Sequence, residues 1–290
     1  MQNKTIIVTG ANTGMGLATT IELAKKGIHV IMACRDTKRG NEAKEKAMEE
    51  SNSTNISLYQ CDLGSMESIS KFADQIKEDF DKIDGLINNA GVVSLKHTKT
   101  EDGFESMTGV NHLGHFLLTH LLLDVLKKSE QARIINVASG AYKAGTLDYN
   151  DMHFNNRSFN VIKGYGQSKL CNILFTLELN KHLEGTNVST FALHPGAVST
   201  SLGVDRQTGF GEKVHLLLRP FFLTSEEGAE TAIYLATEPK IDHLSGRYFY
   251  KKKLQPTKYN KVNEDEAKKL WDWSIKELGM EHKAIEEVAP

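Results

Sequence analysis

The stretch that most constrains this chain is Ile6-Ile7-Val8-Thr9-Gly10-Ala11-Asn12-Thr13-Gly14-Met15-Gly16-Leu17. An apolar run is bounded by Gly10 and a helical pattern starts at Met15, which predicts a buried strand turning sharply into a helix. Gly10 can take a backbone conformation closed to other residues. Gly14 and Gly16 carry no Cβ to keep a pyrophosphate or the neighbouring strand at a distance. Exposed N–H groups at the helix start would then face an anion. The spacing is G-x-x-x-G-x-G, whereas the commoner dinucleotide fingerprint is G-x-G-x-x-G, so the turn alone leaves two readings open: a phosphate cradle, or an ordinary tight strand-to-helix turn.

The rest of the chain repeats the strand-then-helix pattern. Short apolar runs at Val30–Ala33, Ile56–Tyr59, Leu86–Ile87, Arg133–Val137, Val188–Leu193 and Arg247–Phe249 follow the first strand. Between them lie helical patterns over about 15–26, 37–50, 66–80, 103–128, 165–183 and 225–236, and a last one over 264–278 ends the series. The fourth of these changes character near Asn111. Such alternation calls for an α/β fold, a Rossmann-type doubly wound parallel sheet of about seven strands with helices on both faces. With only 5 prolines, no Gly/Ser-rich run and no fixed-period repeat, residues 1–290 read as a single domain.

Charge and composition exclude several classes. Against 35 basic residues stand 37 acidic ones, so no basic field exists to hold nucleic acid or an anionic membrane. Lys251-Lys252-Lys253 reads as a solvated loop. Met1-Gln2-Asn3-Lys4 leads straight into the first strand, leaving no room for a signal or transit peptide, and no run approaches the roughly eighteen apolar residues of a membrane span. The expectation is a cytoplasmic protein. Cys34, Cys61 and Cys171 are odd in number and lack metal-ligand spacing, which suits a reducing compartment and no metal site.

Tyr165-Gly166-Gln167-Ser168-Lys169 puts a phenol and an ammonium one turn apart on one helix face. The spacing is common, and Tyr248 and Lys252 repeat it by chance in what reads as a strand. Position separates the two pairs. Ser139 closes a buried strand, strand C-termini are where open α/β sheets bind ligands, and Tyr165 begins the next helix at that edge. A phenol of pKa about 10 needs help to act at neutral pH, and a lysine cation one turn away favours the phenolate. Tyr165 would give or take the proton of a carbonyl/alcohol pair while Ser139 hydrogen-bonds the substrate oxygen.

Five ordered motifs then resemble the classical short-chain dehydrogenase/reductases over nearly the whole length, and within them the retinol dehydrogenase branch. They are Thr9-Gly10-Ala11-Asn12-Thr13-Gly14-Met15-Gly16, Asn88-Asn89-Ala90-Gly91, Asn136-Val137-Ala138-Ser139, Tyr165-Gly166-Gln167-Ser168-Lys169, and His194-Pro195-Gly196-Ala197-Val198-Ser199-Thr200. Ala138 departs from the second serine of many relatives, but the catalytic serine matches Ser139. The resemblance implies that Asn111 joins Ser139, Tyr165 and Lys169 as a catalytic residue, bending its helix and holding a water that links Lys169 to solvent. It implies dinucleotide contacts at Gly10, Asn12, Thr13, Gly14, Met15 and Gly16, at Asp62 and Leu63 beside the adenine, and at Asn89, Ala90 and Gly91 near the nicotinamide-side ribose. Tyr165, Lys169, Pro195, Gly196, Val198 and Thr200 complete that set. His194 reads as a residue supporting the backbone.

Charge at the end of the second strand selects the cofactor. NAD-specific sites place an acid there, which would repel a 2′-phosphate. Here Cys34 stands in that place and Arg35 follows, a guanidinium suited to adenine and phosphate, so NADP(H) is expected. Asp36 is one residue further on and is expected to point away.

The function expected is NADP(H)-dependent hydride transfer to or from a carbonyl or alcohol of an apolar small molecule. A dinucleotide-sensing regulatory protein would have a damaged catalytic set, and a nucleotide-sugar epimerase or dehydratase a larger C-terminal domain. Residues 140–163 and 197–223 are expected to form the substrate loops. In the second, the run from His215 to Leu223 reads as a lid, a core-packing helix or a shallow membrane contact. As a lid it would wall the substrate pocket with Leu216, Leu217, Phe221 and Phe222. The helices beginning at Gly103 and Tyr165 form dimer contacts in many relatives, which makes a homodimer one expectation, although the branch includes monomers.

Overall fold

The computed structural model describes residues 4–196, 223–258 and 260–280. Apolar runs too short for helices extend into β1 (Thr5–Thr9), β2 (His29–Cys34), β3 (Ile56–Gln60), β4 (Gly85–Asn88), β5 (Ala132–Val137), β6 (Val188–His194) and β7 (Tyr248–Tyr250). These seven pair in parallel, and β8 (Lys253–Leu254) adds an antiparallel edge. The order is β3-β2-β1-β4-β5-β6-β7-β8. The chain winds outward from β1 to β3 and returns to lay β4 on the other side of β1. That reversal opens a crevice at the carboxyl ends of β1 and β4.

The helices are α1 (Gly14–Lys25), α2 (Thr37–Ser51), α3 (Met66–Asp79), α4 (Ser106–Thr108), α5 (Gly114–Leu121), α6 (Leu123–Lys127), α7 (Val161–His182), α8 (Ser225–Thr237) and α9 (Glu264–Glu277). Alternation along each strand feeds two cores. Ile7, Ile31, Leu86 and Ile134 face Phe72, Ile76, Phe116 and Phe175, while Val8, Val30, Met32 and Ile135 face Ile21, Leu23, Ala232 and Leu235. Each such Val, Leu, Ile, Met or Phe side chain contributes about 1.5–3 kcal/mol on burial. From α9, Trp271 sets its ring 5.0 Å from Phe116 and stacks on His182 at 4.2 Å. The C-terminal helix thereby covers the outer face of α5 and α7.

Four expectations change. The sheet has eight strands rather than seven. Lys251 and Lys252, at φ 48° and 61°, form the two-residue turn of the β7–β8 hairpin, so Tyr248 and Lys252 do not share a strand. The helix carrying Tyr165 begins at Val161, because the Asn160 side chain accepts from the N–H groups of Ile162 and Lys163. The segment from Gly103 is a series of short helices starting at Ser106, and the expected break at Asn111 is a π-helical turn over Gly109–Leu113.

Candidate active site

The glycine turn is built for an anion. Gly10 and Gly14 take φ of 63° and 53°. A Cβ on Gly16 would lie 2.3 Å from the Gly10 carbonyl oxygen and 2.6 Å from Asn89 Nδ2, so only glycine lets α1 start this close to the strand. Side chains cap α2, α3, α7, α8 and α9, using Asp36, Ser65, Asn160, Thr224 and Asn263. At α1 the N-cap residue Thr13 makes no side-chain cap bond, and no acid sits in the first turn. Its first N–H groups lack intrahelical partners and face a glycine-lined turn, which fits a pyrophosphate. Behind the turn, Thr9 Oγ1 accepts from the N–H groups of Asn89 and Ala90 at 2.9 Å each, and Asn89 Nδ2 donates to the Thr9 carbonyl at 2.8 Å. The Asn89-Ala90-Gly91 loop is thus tied to β1.

On the other side of the crevice stands a buried polar cluster. Asn111 is fully buried in its π turn. Its Oδ1 accepts from Val92 N–H at 2.7 Å, and its Nδ2 donates to Val92 O and to Ser168 Oγ at 3.0 Å each. Ser168 Oγ in turn donates to the Tyr165 carbonyl at 2.9 Å. Lys169 Nζ donates to the Val137 carbonyl at the end of β5, at 3.0 Å, and lies 5.6 Å from the centre of the Tyr165 ring. The Gly91 position lies against both, since a Cβ there would sit 3.4 Å from Asn111 Oδ1 and 3.6 Å from Lys169 Nζ, in ordinary contact.

Burial lowers Lys169 to about 8, which leaves most of it charged at pH 7. Burial pushes the Tyr165 phenol above its ordinary value, and a hydrogen bond with Ser139 opposes the rise. This differs from the expected balance, because in this arrangement it is Ser139 that opposes desolvation. Ser139 Oγ also accepts from Ala141 N–H at 3.2 Å, opening a 3-10 turn over Gly140–Ala144 at the start of the expected substrate loop 140–163. Tyr165 and Ser139 remain partly exposed beside the buried Asn111 and Lys169. A proton donor and a hydrogen-bond donor therefore face solvent with a cation behind them.

At the end of β2, Cys34 is a buried thiol raised to about 11 by desolvation, against the pull of the Ala11 and Asn12 N–H groups on its sulfur. No carboxylate occupies that place. The Asp36 carboxylate accepts from Arg39 N–H at 3.1 Å as the cap of α2, and Arg35 is exposed. Asp62 Oδ1 accepts from Gly64 N–H at 2.9 Å. His194 Nδ1 accepts from Gly196 N–H at 3.2 Å, the backbone support expected of it. Val198, Thr200, Leu217 and Phe221 lie outside the described residues, as do Leu216 and Phe222.

Sequence reasoning passed over Thr9, Val92, His115 and Ser168. Thr9 and Ser168 stand inside motifs it used, and His115 is four residues after Asn111 on the same helix face. Val92 carried no signal, since only its backbone is engaged.

Residues 4–209 match the family model for short chain dehydrogenases. The chain is 43% identical to retinol dehydrogenase 14 of Mus musculus over 300 residues, covering 97% of this chain and 87% of that protein. It is 42% identical to retinol dehydrogenase 13 of Homo sapiens over 290 residues, covering 98% and 87%. Among solved structures, an uncharacterized protein from Mycobacterium paratuberculosis superposes with a TM-score of 0.77 at 31% identity, covering 97% of this chain and 95% of that one. A sheet that reverses beside an uncapped glycine turn thus coincides with identity along nearly the whole chain, and the protein belongs to the short-chain dehydrogenase/reductase family of nicotinamide-dependent oxidoreductases, in its retinol dehydrogenase-like branch.

Proposed function

We propose that this chain is an NADP(H)-dependent oxidoreductase that moves hydride between nicotinamide and the carbonyl or alcohol carbon of an apolar small molecule, of retinoid, steroid or xenobiotic type. The observation that carries the reading is the meeting of Ser139, Tyr165, Lys169 and Asn111 at the carboxyl ends of the strands beside the glycine turn. When bound there, NADPH would supply hydride to a carbonyl carbon. Tyr165, protonated at neutral pH and partly exposed, gives its phenolic proton to the substrate oxygen, and the Ser139 hydroxyl donates to the same oxygen as negative charge gathers there. Lys169, held on the Val137 carbonyl, places its ammonium 5.6 Å from the centre of the ring of the phenolate that Tyr165 becomes, and Asn111 fixes the Val92 backbone and the Ser168 hydroxyl around it.

Gly10, Asn12, Thr13, Gly14, Met15 and Gly16 would hold the pyrophosphate side of the cofactor, and Asp62 and Leu63 would border its adenine. Asn89, Ala90, Gly91, Tyr165, Lys169, Pro195, Gly196, Val198 and Thr200 would hold the nicotinamide side. Arg35 would pair with the 2′-phosphate, a role supported by the neutral Cys34 thiol and by the Asp36 carboxylate being engaged in capping. Ser139, Leu217 and Phe221 would contact substrate, with 140–163 and 197–223 as loops of one domain spanning 1–290. No helix among the described residues is long and apolar enough to cross a membrane, and we assign the enzyme to the cytoplasm. With α9 lying over α5 and α7, a homodimer would need another face.

The test is oxidation of NADPH and, in parallel, NADH by the purified chain with a retinoid aldehyde, a steroid ketone, a quinone and a small aldehyde. Turnover with NADPH preferred is expected. Dinucleotide binding without turnover of any carbonyl would overturn the reading in favour of a sensor.

A further inference from the structure

His115 is enclosed in α5, 2% exposed, and each of its ring nitrogens reaches a different side of the crevice. Nδ1 lies 3.1 Å from the Asn111 carbonyl oxygen, and Nε2 lies 2.9 Å from Thr9 Oγ1. We propose that His115 is a positioning residue that locks the Asn111 turn to the dinucleotide turn through two hydrogen bonds of fixed direction, Nδ1–H to the Asn111 carbonyl and the Thr9 hydroxyl to Nε2. The inference rests on the roles given above to Asn111 and the glycine turn.

The directions follow from counting donors and acceptors. A backbone carbonyl can only accept, so Nδ1 carries the hydrogen and Nε2 presents a lone pair. Thr9 Oγ1 already accepts from Asn89 and Ala90 N–H. Its own hydrogen has two acceptors in reach, the Ile87 carbonyl at 3.3 Å and His115 Nε2 at 2.9 Å, and the nearer one completes the ring. The opposite tautomer would aim a lone pair at the Asn111 carbonyl and a third donor at Thr9. Burial lowers His115 to about 4, so the ring stays neutral at neutral pH. The π turn over Gly109–Leu113 departs from the regular ladder, as Gly114 N–H reaches back to Gly109, and the imidazole takes up the Asn111 carbonyl within it. One side chain therefore joins Asn111, whose amide holds Val92 and Ser168, to Thr9, whose hydroxyl holds the Asn89-Ala90 loop.

Two substitutions separate the arms. In His115→Asn the amide nitrogen stands where Nδ1 stood and serves Asn111 alone, while in His115→Gln the amide oxygen stands where Nε2 stood and serves Thr9 alone. Dissociation constants for NADPH, from its fluorescence on binding, kcat with a carbonyl substrate, and thermal midpoints are measured for both and for His115→Phe. Asn should weaken NADPH about three- to tenfold at nearly constant kcat, and Gln should lower kcat about three- to tenfold at nearly constant NADPH affinity, since each loses one neutral hydrogen bond. Nitrogen-15 NMR of the wild-type ring should show the Nδ1–H tautomer. The opposite tautomer, or losses of the same kind in Asn and Gln that track the thermal midpoint, would overturn the proposal. If the wild type turned over no carbonyl, the functional reading would fail, and the tautomer with the NADPH affinities would still decide the part played by His115.

Discussion

The glycine turn after β1 and the polar cluster around Tyr165 face one another across the carboxyl ends of the sheet, and they are made of different materials. The turn is backbone: two glycines at positive φ, a third with no room for a Cβ, and a helix start that no side chain caps. Its conformation is written in adjacent residues, and the Asn89 loop braces it from behind. The cluster is side chain, with an amide at position 111, a hydroxyl at 168 and an ammonium at 169 bonded to carbonyls and amides brought from distant strands and loops. Backbone alone can hold a phosphate, because the N–H groups it needs are already in the chain. Moving a proton needs groups whose charge changes, and burying those costs stability.

The sharpest break of this comparison is Tyr165→Phe, which keeps the ring and removes only the proton donor. Turnover should fall at least about a hundredfold while NADPH affinity stays within a few-fold, as steady-state rates and cofactor titration would show. Turnover near the wild-type rate would leave the cluster without its catalytic part.

The next largest effect tests the cost of the cluster. Burial lowers Lys169 from 10.5 to about 8, so between those values the unfolded chain holds a proton that the folded chain has released. Stability contributed by this site therefore rises with pH across that window, and below pH 8 the penalty is present in full, about 3 kcal/mol. Lys169→Met should unfold at higher urea concentration than the wild type at pH 7 while losing activity. It should also lack the wild type's gain in stability between pH 8 and 10. The same rise in both proteins would mean that other groups titrate there.

On the turn's side of the crevice the effect should be selective. Arg35→Ala should weaken NADPH about ten- to a hundredfold, the value of one charge-assisted bond of about 1.5–3 kcal/mol, and change NADH little. Equal losses for both dinucleotides in a binding titration would assign Arg35 a structural part instead. The smallest effect belongs to Tyr248→Phe. That ring is buried on β7 in an edge-to-face contact with Tyr142, and its loss of a hydroxyl should leave kcat and KM unchanged.

Much of this molecule could be read without coordinates. The alternation of seven strands with helices along the chain, the sharp turn at Gly10, and the pairing of Tyr165 with Lys169 on one helix face all follow from periodicity and spacing, which depend on near neighbours in the chain. The eighth strand escaped because its hairpin turn is Lys251-Lys252, with no glycine or asparagine to announce positive φ. The true start of α7 escaped because 140–163 shows no periodicity, and only the structure reveals the Asn160 side chain accepting from the first N–H groups of the helix. Contacts over long separations were settled only in three dimensions. Thr9 meets His115 across 106 positions, His112 meets Ser274 of α9 across 162, and Trp271 lands on Phe116 and His182. A hydrogen bond or ring contact of this kind depends on the register of the strands and the angle at which helices cross them, and those are fixed by packing of the whole core rather than by the residues on either side.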